Sequence, residues 1–290
     1  MEKNILITGA YGQLGNALSK KIIPGYKIIL SGRKNPYKEE SDKLDIQDSS
    51  ALKNIIREKK PDIIIHLAAL TSVDECELYP HRAEQINVTA VKNLCDNFSG
   101  KFVYLSTDYV FDGSNGPYTG FDKPCPINVY GDTKLRAEEM IMKRNLESLI
   151  LRCNVLYDYN QNTNASFLNW VIKSLKKKQI IEVVYDQVNN PTWTESLAKI
   201  ICICIKKSVS GVAHWGDADF INRFEFAIRI AEKFELDKSL IKPISTFELD
   251  QPAKRPLKSG LISDNLSKVL GQSPPSIDFC LDEIKKKIKQ

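Results

Sequence analysis

Two side chains four residues apart carry the most purposeful chemistry in this chain: Tyr130 and Lys134, in Tyr130-Gly131-Asp132-Thr133-Lys134. On a helix that spacing puts both on one face. A free phenol titrates near ~10, too high for efficient proton exchange at neutral pH, and a neighbouring ammonium lowers that value by favouring the phenolate. Taken alone, such a pair reads as an ordinary solvated helix face. Its position changes the reading, because it follows Tyr104-Leu105-Ser106-Thr107-Asp108-Tyr109, a strand that ends in hydroxyls. Sites in α/β proteins form at the C-terminal ends of strands, where a hydroxyl would meet Tyr130.

A second constellation lies at the start of the chain, where Asn4-Ile5-Leu6-Ile7-Thr8 runs into Gly9-Ala10-Tyr11-Gly12-Gln13-Leu14-Gly15. The spacing is G-x-x-G-x-x-G between a strand and a helix. Glycines there permit a tight turn and close backbone approach, so that N–H groups at the helix start face a pyrophosphate. The end of the second strand selects the dinucleotide: an acidic residue there bonds a ribose 2′-hydroxyl, whereas an Arg accommodates a 2′-phosphate. This chain has Ser31-Gly32-Arg33-Lys34 and no acid at that turn. NADPH is the expected cofactor, with NADH possible.

These groups need a scaffold, and the first half supplies a repeating one. Short continuous apolar runs at residues 4–8, 27–31, 62–68, 101–106 and 148–156 read as buried parallel strands. Amphipathic stretches at 14–23, 49–59, 83–98 and 130–145 read as the crossover helices. The order predicts an α/β fold, a doubly wound parallel sheet of Rossmann type with helices on both faces. The second half reads as a helix bearing Lys173, Lys176, Lys177 and Lys178, a strand at 181–184, a helix at 195–207, a strand at 211–215, a helix at 223–234 and a Pro-containing segment from Pro243 to Pro256. The chain divides into a cofactor-binding domain at 1–155 and a mainly substrate-binding lobe at 156–290, interleaved with the sheet.

Composition narrows the class. The 290 residues, 42% hydrophobic and 27% charged, suit a soluble globular protein with a sizeable core. A net charge of +5, from 41 Lys+Arg against 36 Asp+Glu, falls short of the basic face of a nucleic-acid binder. Seven scattered Cys without a C-x-x-C pair indicate neither a zinc site nor a disulfide framework, and His66, His81 and His214 share no ligand spacing. No metal is expected. No run approaches the ~20 apolar residues of a membrane span, and the start leaves no room for a signal peptide, so no membrane partner and a cytoplasmic location are expected.

The combined motifs resemble those of the extended short-chain dehydrogenase/reductases and, more narrowly, the dTDP-4-dehydrorhamnose reductase family, which includes the methionine adenosyltransferase beta subunit. The resemblance covers nearly the whole chain. It is carried by the glycine loop, His66-Leu67-Ala68-Ala69-Leu70-Thr71-Ser72-Val73-Asp74, Asn87-Val88, residues 106–113 and 126–134, Asp186-Gln187-Val188-Asn189-Asn190-Pro191-Thr192, and Arg255-Pro256-Leu257-Lys258-Ser259. It implies hydride transfer from NADPH to the C4 ketone of a nucleotide-linked 4-keto-6-deoxy sugar, as in deoxysugar and cell-surface polysaccharide biosynthesis. Tyr130 would donate the proton, Thr107 would hydrogen-bond the same oxygen, Lys134 would tune Tyr130 and contact the nicotinamide ribose, and Asn87 would orient the Lys end. The resemblance also implies that Ala68 and Ala69 border the cofactor and Asp45-Ile46 the adenine. Thr71, Val73, Tyr109, Asn190, Thr192 and Arg255 would meet the sugar nucleotide, with Arg255 on the diphosphate. A homodimer is implied in the same way.

Two positions depart from the pattern. Arg152-Cys153-Asn154-Val155-Leu156-Tyr157-Asp158 has Val155 where these reductases place a Trp and Asp158 where they place a Gly. This removes stacking area and reshapes the pocket rim. Sister dehydratases carry a Glu after the Thr-Asp step, where this chain has Tyr109, so a dehydratase is not expected, while an epimerase is less firmly excluded. The alternative is a non-catalytic NADP-binding regulatory subunit like methionine adenosyltransferase beta. The cofactor expectation is checked by titration: NADP binds more tightly than NAD, and the reverse order overturns the role of Arg33.

Overall fold

The computed structural model describes residues 2–21, 23–33, 43–144, 147–160 and 166–289. Lys34 and Asn145, part of the sequence reading, lie outside the described residues. In the first half, apolar runs form strands and amphipathic stretches form the helices between them. The order is β1 (Lys3–Thr8), α1 (Gln13–Ser19), β2 (Tyr26–Ser31), α2 (Ser49–Lys59), β3 (Ile63–His66), α3 (Val73–Leu78), α4 (Pro80–Glu84), α5 (Ala90–Asn97), β4 (Lys101–Thr107), α6 (Val129–Lys143) and β5 (Ser148–Cys153). The second half continues with β6 (Leu156–Tyr157), α7 (Phe167–Lys176), β7 (Ile181–Val184), β8 (Val188–Asn189), β9 (Thr192–Trp193), α8 (Thr194–Lys206) and β10 (Gly211–Trp215). It closes with β11 (Ile221–Asn222), α9 (Arg223–Lys233), β12 (Ile241–Ile244), α10 (Thr246–Leu249), α11 (Asp264–Leu270) and α12 (Ile277–Lys289).

Six strands form one parallel sheet in the order β10-β5-β4-β3-β1-β2. Strand order reverses between β1 and β3, which opens a crevice at their C-terminal ends. Alternate side chains feed two cores, as a pleated strand requires. Ile5, Ile7, Val103, Leu149 and Leu151 pack with α1, α8 and α11 on one face. Leu6, Ile64, Phe102, Tyr104 and Ile150 pack with α2 through α6 on the other. The sheet is covered on both sides, the doubly wound arrangement that continuous apolar runs imply.

Three expected elements are shorter or interrupted, each for a local reason. The strand expected at 62–68 ends at His66, and residues 67–69 turn away as loop along the crevice. The strand expected at 148–156 breaks after Cys153, where buried Asn154 leaves the sheet and β6 pairs with β9 instead. The helix expected at 83–98 contains a π-helical turn at Gln85–Thr89, which carries Asn87. Wide turns of this kind recur beside functional sites.

The second half adds β10 and α8 to the sheet and builds a separate core from α7, α9 and α12 over β7. Asp217 ties this lobe together. Its carboxylate accepts from the Tyr157 hydroxyl at 2.6 Å and from the Trp193 N–H at 3.2 Å, with Cys280 Sγ at 3.8 Å. Burial pushes Asp217 up to about 7, against the opposing pull of these hydrogen bonds. A carboxyl raised in the fold stabilises it below the ordinary carboxylate pKa, and that contribution is lost as pH rises through 7. Asp217→Asn is therefore expected to gain stability relative to the parent between pH 5 and pH 8, by up to about 3 kcal/mol. Thermal melts at the two pH values check this, and an unchanged difference refutes it.

Candidate active site

The glycine loop follows β1 and starts α1. Gly9 has φ of 70°, and a Cβ there would lie 2.7 Å from the Ala68 backbone nitrogen. A Cβ at Gly15 would lie 2.4 Å from the Ala10 carbonyl oxygen. Both glycines are thus consumed by backbone packing. Gly12 is different: it is the N-cap of α1, has no capping side chain, and an added Cβ would meet one atom at 3.4 Å. Its open side and the first turn of α1 border a cavity of about 530 Å³. That is a cradle for phosphate at a helix start.

The same cavity is also lined by Thr107, Tyr130 and Lys134. Helix α6 begins at the N-cap Asn128, whose side chain accepts from Gly131 N at 2.8 Å and donates to the Lys254 carbonyl at 2.8 Å. Gly131 lets the helix press on the end of β4, since a Cβ would fall 2.0 Å from the Tyr109 carbonyl oxygen. This contact brings Tyr130 beside Thr107 and edge-on to Tyr109, with ring centres 5.8 Å apart. Lys134 Nζ donates to the Leu105 carbonyl at 2.7 Å and sits 4.0 Å from the centre of the Tyr104 ring.

Burial governs the electrostatics. It brings Lys134 down to about 8, with Glu138 pulling upward. It pushes the Tyr130 phenol far above its ordinary value, with the nearby Cys153 thiol adding to the rise and the Thr107 hydroxyl opposing it. The expected lowering of Tyr130 by Lys134 is therefore not seen in this structure, where burial raises the phenol instead. Tyr130 stays protonated through neutral pH, which makes it a proton donor. Asp108 is raised by burial to about 6 and is held by Ser259 Oγ at 2.5 Å and Thr107 Oγ1 at 3.1 Å.

A family model for the RmlD substrate binding domain matches residues 3–289. The chain belongs to this RmlD family. It is 30% identical over 297 residues to a dTDP-4-dehydrorhamnose reductase of Aggregatibacter actinomycetemcomitans, covering 97% of this chain and 98% of that one. It is 31% identical over 286 residues to methionine adenosyltransferase 2 subunit beta of Rattus norvegicus, covering 94% of this chain and 84% of that one. Among solved structures, dTDP-4-dehydrorhamnose reductase from Bacillus anthracis, in complex with NADP, superposes with a TM-score of 0.90 at 32% identity, covering 99% and 100% of the two chains.

Most of the residues singled out in this RmlD-family sequence converge on the cavity. Gly9, Gly12, Gln13, Leu14, Gly15, Arg33, Asp45, Ile46, Ala68 and Ala69 line its cradle end, and Thr71, Val73, Thr107, Tyr109, Tyr130 and Lys134 the remainder. Tyr11 stands apart, its ring closing over Gly32, where an added Cβ would meet it at 2.9 Å. Asn87 lies behind the site. Its amide bonds the Leu70 N–H at 2.8 Å, the Leu70 carbonyl at 3.1 Å and Thr133 Oγ1 at 3.2 Å. It is a positioning residue that joins the loop after β3 to the turn bearing Lys134.

Three expected substrate contacts do not line the cavity, and their hydrogen-bonding groups are engaged elsewhere. Asn190, 2% exposed, donates to the Asp217 and Leu261 carbonyls and accepts from Leu261 N and Asn154 Nδ2. Thr192 is wholly buried between the Asn154 N–H and the Trp215 carbonyl. Arg255 forks onto Asp74 with two bonds of 2.7 Å and donates to the Ala253 carbonyl. Burial alone would raise the Asp74 carboxyl, yet Arg255 holds it below its ordinary range. Of the two departures, Val155 lines the cavity, whereas Asp158 binds Thr194 Oγ1 at 2.5 Å at the start of α8.

Sequence reasoning missed Arg223, Cys153 and Gly32, which also line the cavity, and the buried pair behind it. Arg223 reads as the first residue of a helix and carries no motif. Arg152 bonds Glu138 through Nε at 3.0 Å and Nη2 at 2.6 Å, and Ser106 Oγ also donates to Glu138. Glu138 lies one turn beyond Lys134 on the same face of α6. Arg152→Met strands that carboxylate and is expected to cost about 3–5 kcal/mol, most of it recovered in the double variant with Glu138→Leu. Denaturant unfolding of the three proteins checks this; equal stability of the single and double variants refutes it.

Proposed function

We propose that this chain is an NADPH-dependent oxidoreductase that reduces the 4-keto group of a nucleotide-linked 4-keto-6-deoxy sugar. One observation carries the reading: a protonated Tyr130 beside Thr107 shares a cavity with a phosphate cradle at Gly12. The residues present fit the cofactor. Gly12 to Gly15 would hold its pyrophosphate, Arg33 its 2′-phosphate, and Lys134 its nicotinamide ribose. When bound, the cofactor supplies a hydride. The RmlD-family reductases, including the NADP complex from Bacillus anthracis, support the same assignment.

The chain's own residues do the rest. Tyr130 gives its phenolic proton to the oxygen that becomes the alcohol, while Thr107 donates a hydrogen bond to that oxygen as its charge develops. Loss of the proton leaves a buried phenolate, which the Lys134 ammonium balances. Because Lys134 is held near 8, the ammonium is present below that pH and is lost above it. We assign the enzyme to the reducing cytoplasm on its seven unpaired cysteines. Among the described residues no helix is long and apolar enough to cross a membrane. A homodimer is part of the same proposal, by likeness to the family.

A regulatory NADP-binding subunit is the second reading, favoured by the likeness to methionine adenosyltransferase 2 subunit beta and by Val155 in the cavity wall. NADPH oxidation is measured with dTDP-, GDP-, UDP- and CDP-linked 4-keto-6-deoxy sugars. At least one is reduced, Tyr130→Phe lowers the rate about 10²–10⁴-fold, and kcat/KM declines above pH 8. Undiminished turnover by Tyr130→Phe removes the assigned acid. No turnover on any of the four, with co-elution of a methionine adenosyltransferase catalytic subunit, selects the second reading.

A further inference from the structure

A diphosphate-linked sugar brings two negative charges, and the cation that sequence reasoning placed on them is already neutralised. Arg255 has both arms on Asp74 and is 9% exposed. Three other cations line the cavity. Arg33 stands at the end of β2 beside the glycine loop, and Lys134 is bound to the Leu105 carbonyl beneath Tyr130. The third is Arg223, on the side of Thr107, Asp108 and Tyr109.

Arg223 is built into place. Strand β11 pairs antiparallel with β8, and Asn222 caps α9 by accepting from Glu225 N at 2.8 Å. Arg223 is thereby the first residue of the helix, and its own N–H donates to the Gln187 carbonyl at 3.3 Å. Its guanidinium lies 5.5 Å from the centre of the Phe167 ring, a cation–π contact that restrains it without neutralising it. It lies beside the Tyr109 phenol, whose ionised form it favours. Among the described residues no carboxylate forms an ion pair with it, and its charge also favours the ionised form of the buried Asp108 carboxyl nearby. A half-buried guanidinium with donors to spare, facing a cavity, is suited to a phosphate oxygen.

We propose that Arg223, and not Arg255, receives the diphosphate of the nucleotide sugar. The inference rests on the substrate class proposed above. It assigns Arg255 a structural role, clamping the segment after α10 to the start of α3 through Asp74. It gives the second lobe the part of holding the charged ligand beside the catalytic residues of the sheet.

The test uses the full-length protein saturated with NADP, titrated calorimetrically with dTDP, GDP, UDP and CDP and with the four matching nucleosides. The parent binds at least one diphosphate more tightly than its nucleoside. Arg223→Gln weakens that diphosphate about 10- to 100-fold, the size of a lost charge-assisted hydrogen bond, and leaves the nucleoside and the melting temperature unchanged. Arg223→Lys recovers part of the loss. The paired variant Asp74→Asn with Arg255→Gln, which leaves no buried charge unpaired, keeps parental diphosphate affinity if it melts normally. Parental affinity in Arg223→Gln, or a loss seen only with the intact nucleotide sugar, overturns the role of Arg223 while leaving the substrate class standing. A parent that binds none of the four diphosphates overturns the substrate class and this inference together.

Discussion

Tyr130, Lys134 and Glu138 form one stripe along α6, and the buried Glu138–Arg152 pair fixes that stripe against the sheet. Both charges have left water, so each demands its partners in good geometry. Arg152 lies on β5, with His214 of β10 at 3.5 Å and the Phe111 ring beneath its guanidinium. Ser106, the other donor to Glu138, immediately precedes Thr107 on β4. Three neighbouring strands are therefore keyed to one carboxylate. A shift of α6 along its axis would separate Tyr130 from Thr107 only by first unpairing Glu138, which makes the catalytic register a consequence of the ion pair behind it.

In front of that pair the site is costly in another way. Lys134 is 4% exposed and Asp108 is 2% exposed, and burial drives both toward their neutral forms. The fold tolerates this because the Leu105 carbonyl, the Tyr104 ring, Ser259 and Thr107 replace part of the lost hydration. Perturbed groups gathered at one cavity are the mark of a functional site. The same burial that costs stability keeps Tyr130 protonated.

The junction between the sheet and the second lobe shows why polar residues in a motif are ambiguous. Asn154 leaves β5 and bonds the Asn190 side chain, which in turn holds the Asp217 and Leu261 backbone. Thr192 and Asp74 do similar work nearby. A substrate ligand and a buried hydrogen-bond hub draw on the same residue types, and the difference lies in whether the lone pairs and protons are already satisfied. Motif spacing holds no record of that. Arg223 is the converse case, a residue in an unremarked stretch that the pairing of β11 with β8 and the Asn222 cap turn toward the cavity.

Local pattern alone determined the doubly wound architecture, since continuous apolar runs alternating with amphipathic stretches have one economical way to bury both faces of a parallel sheet. It also determined the glycine loop and the Tyr130–Lys134 face, because both depend on spacing within a single turn or helix. Tertiary structure decided everything that depends on which partner is consumed. It set Tyr130 high, where Lys134 was expected to bring it down, through burial that no local spacing encodes. It spent Arg255 on Asp74, 181 residues away, and left Arg223 facing the cavity. Desolvation and pairing are properties of the whole packed chain, and they are what separates a charged residue from a binding residue.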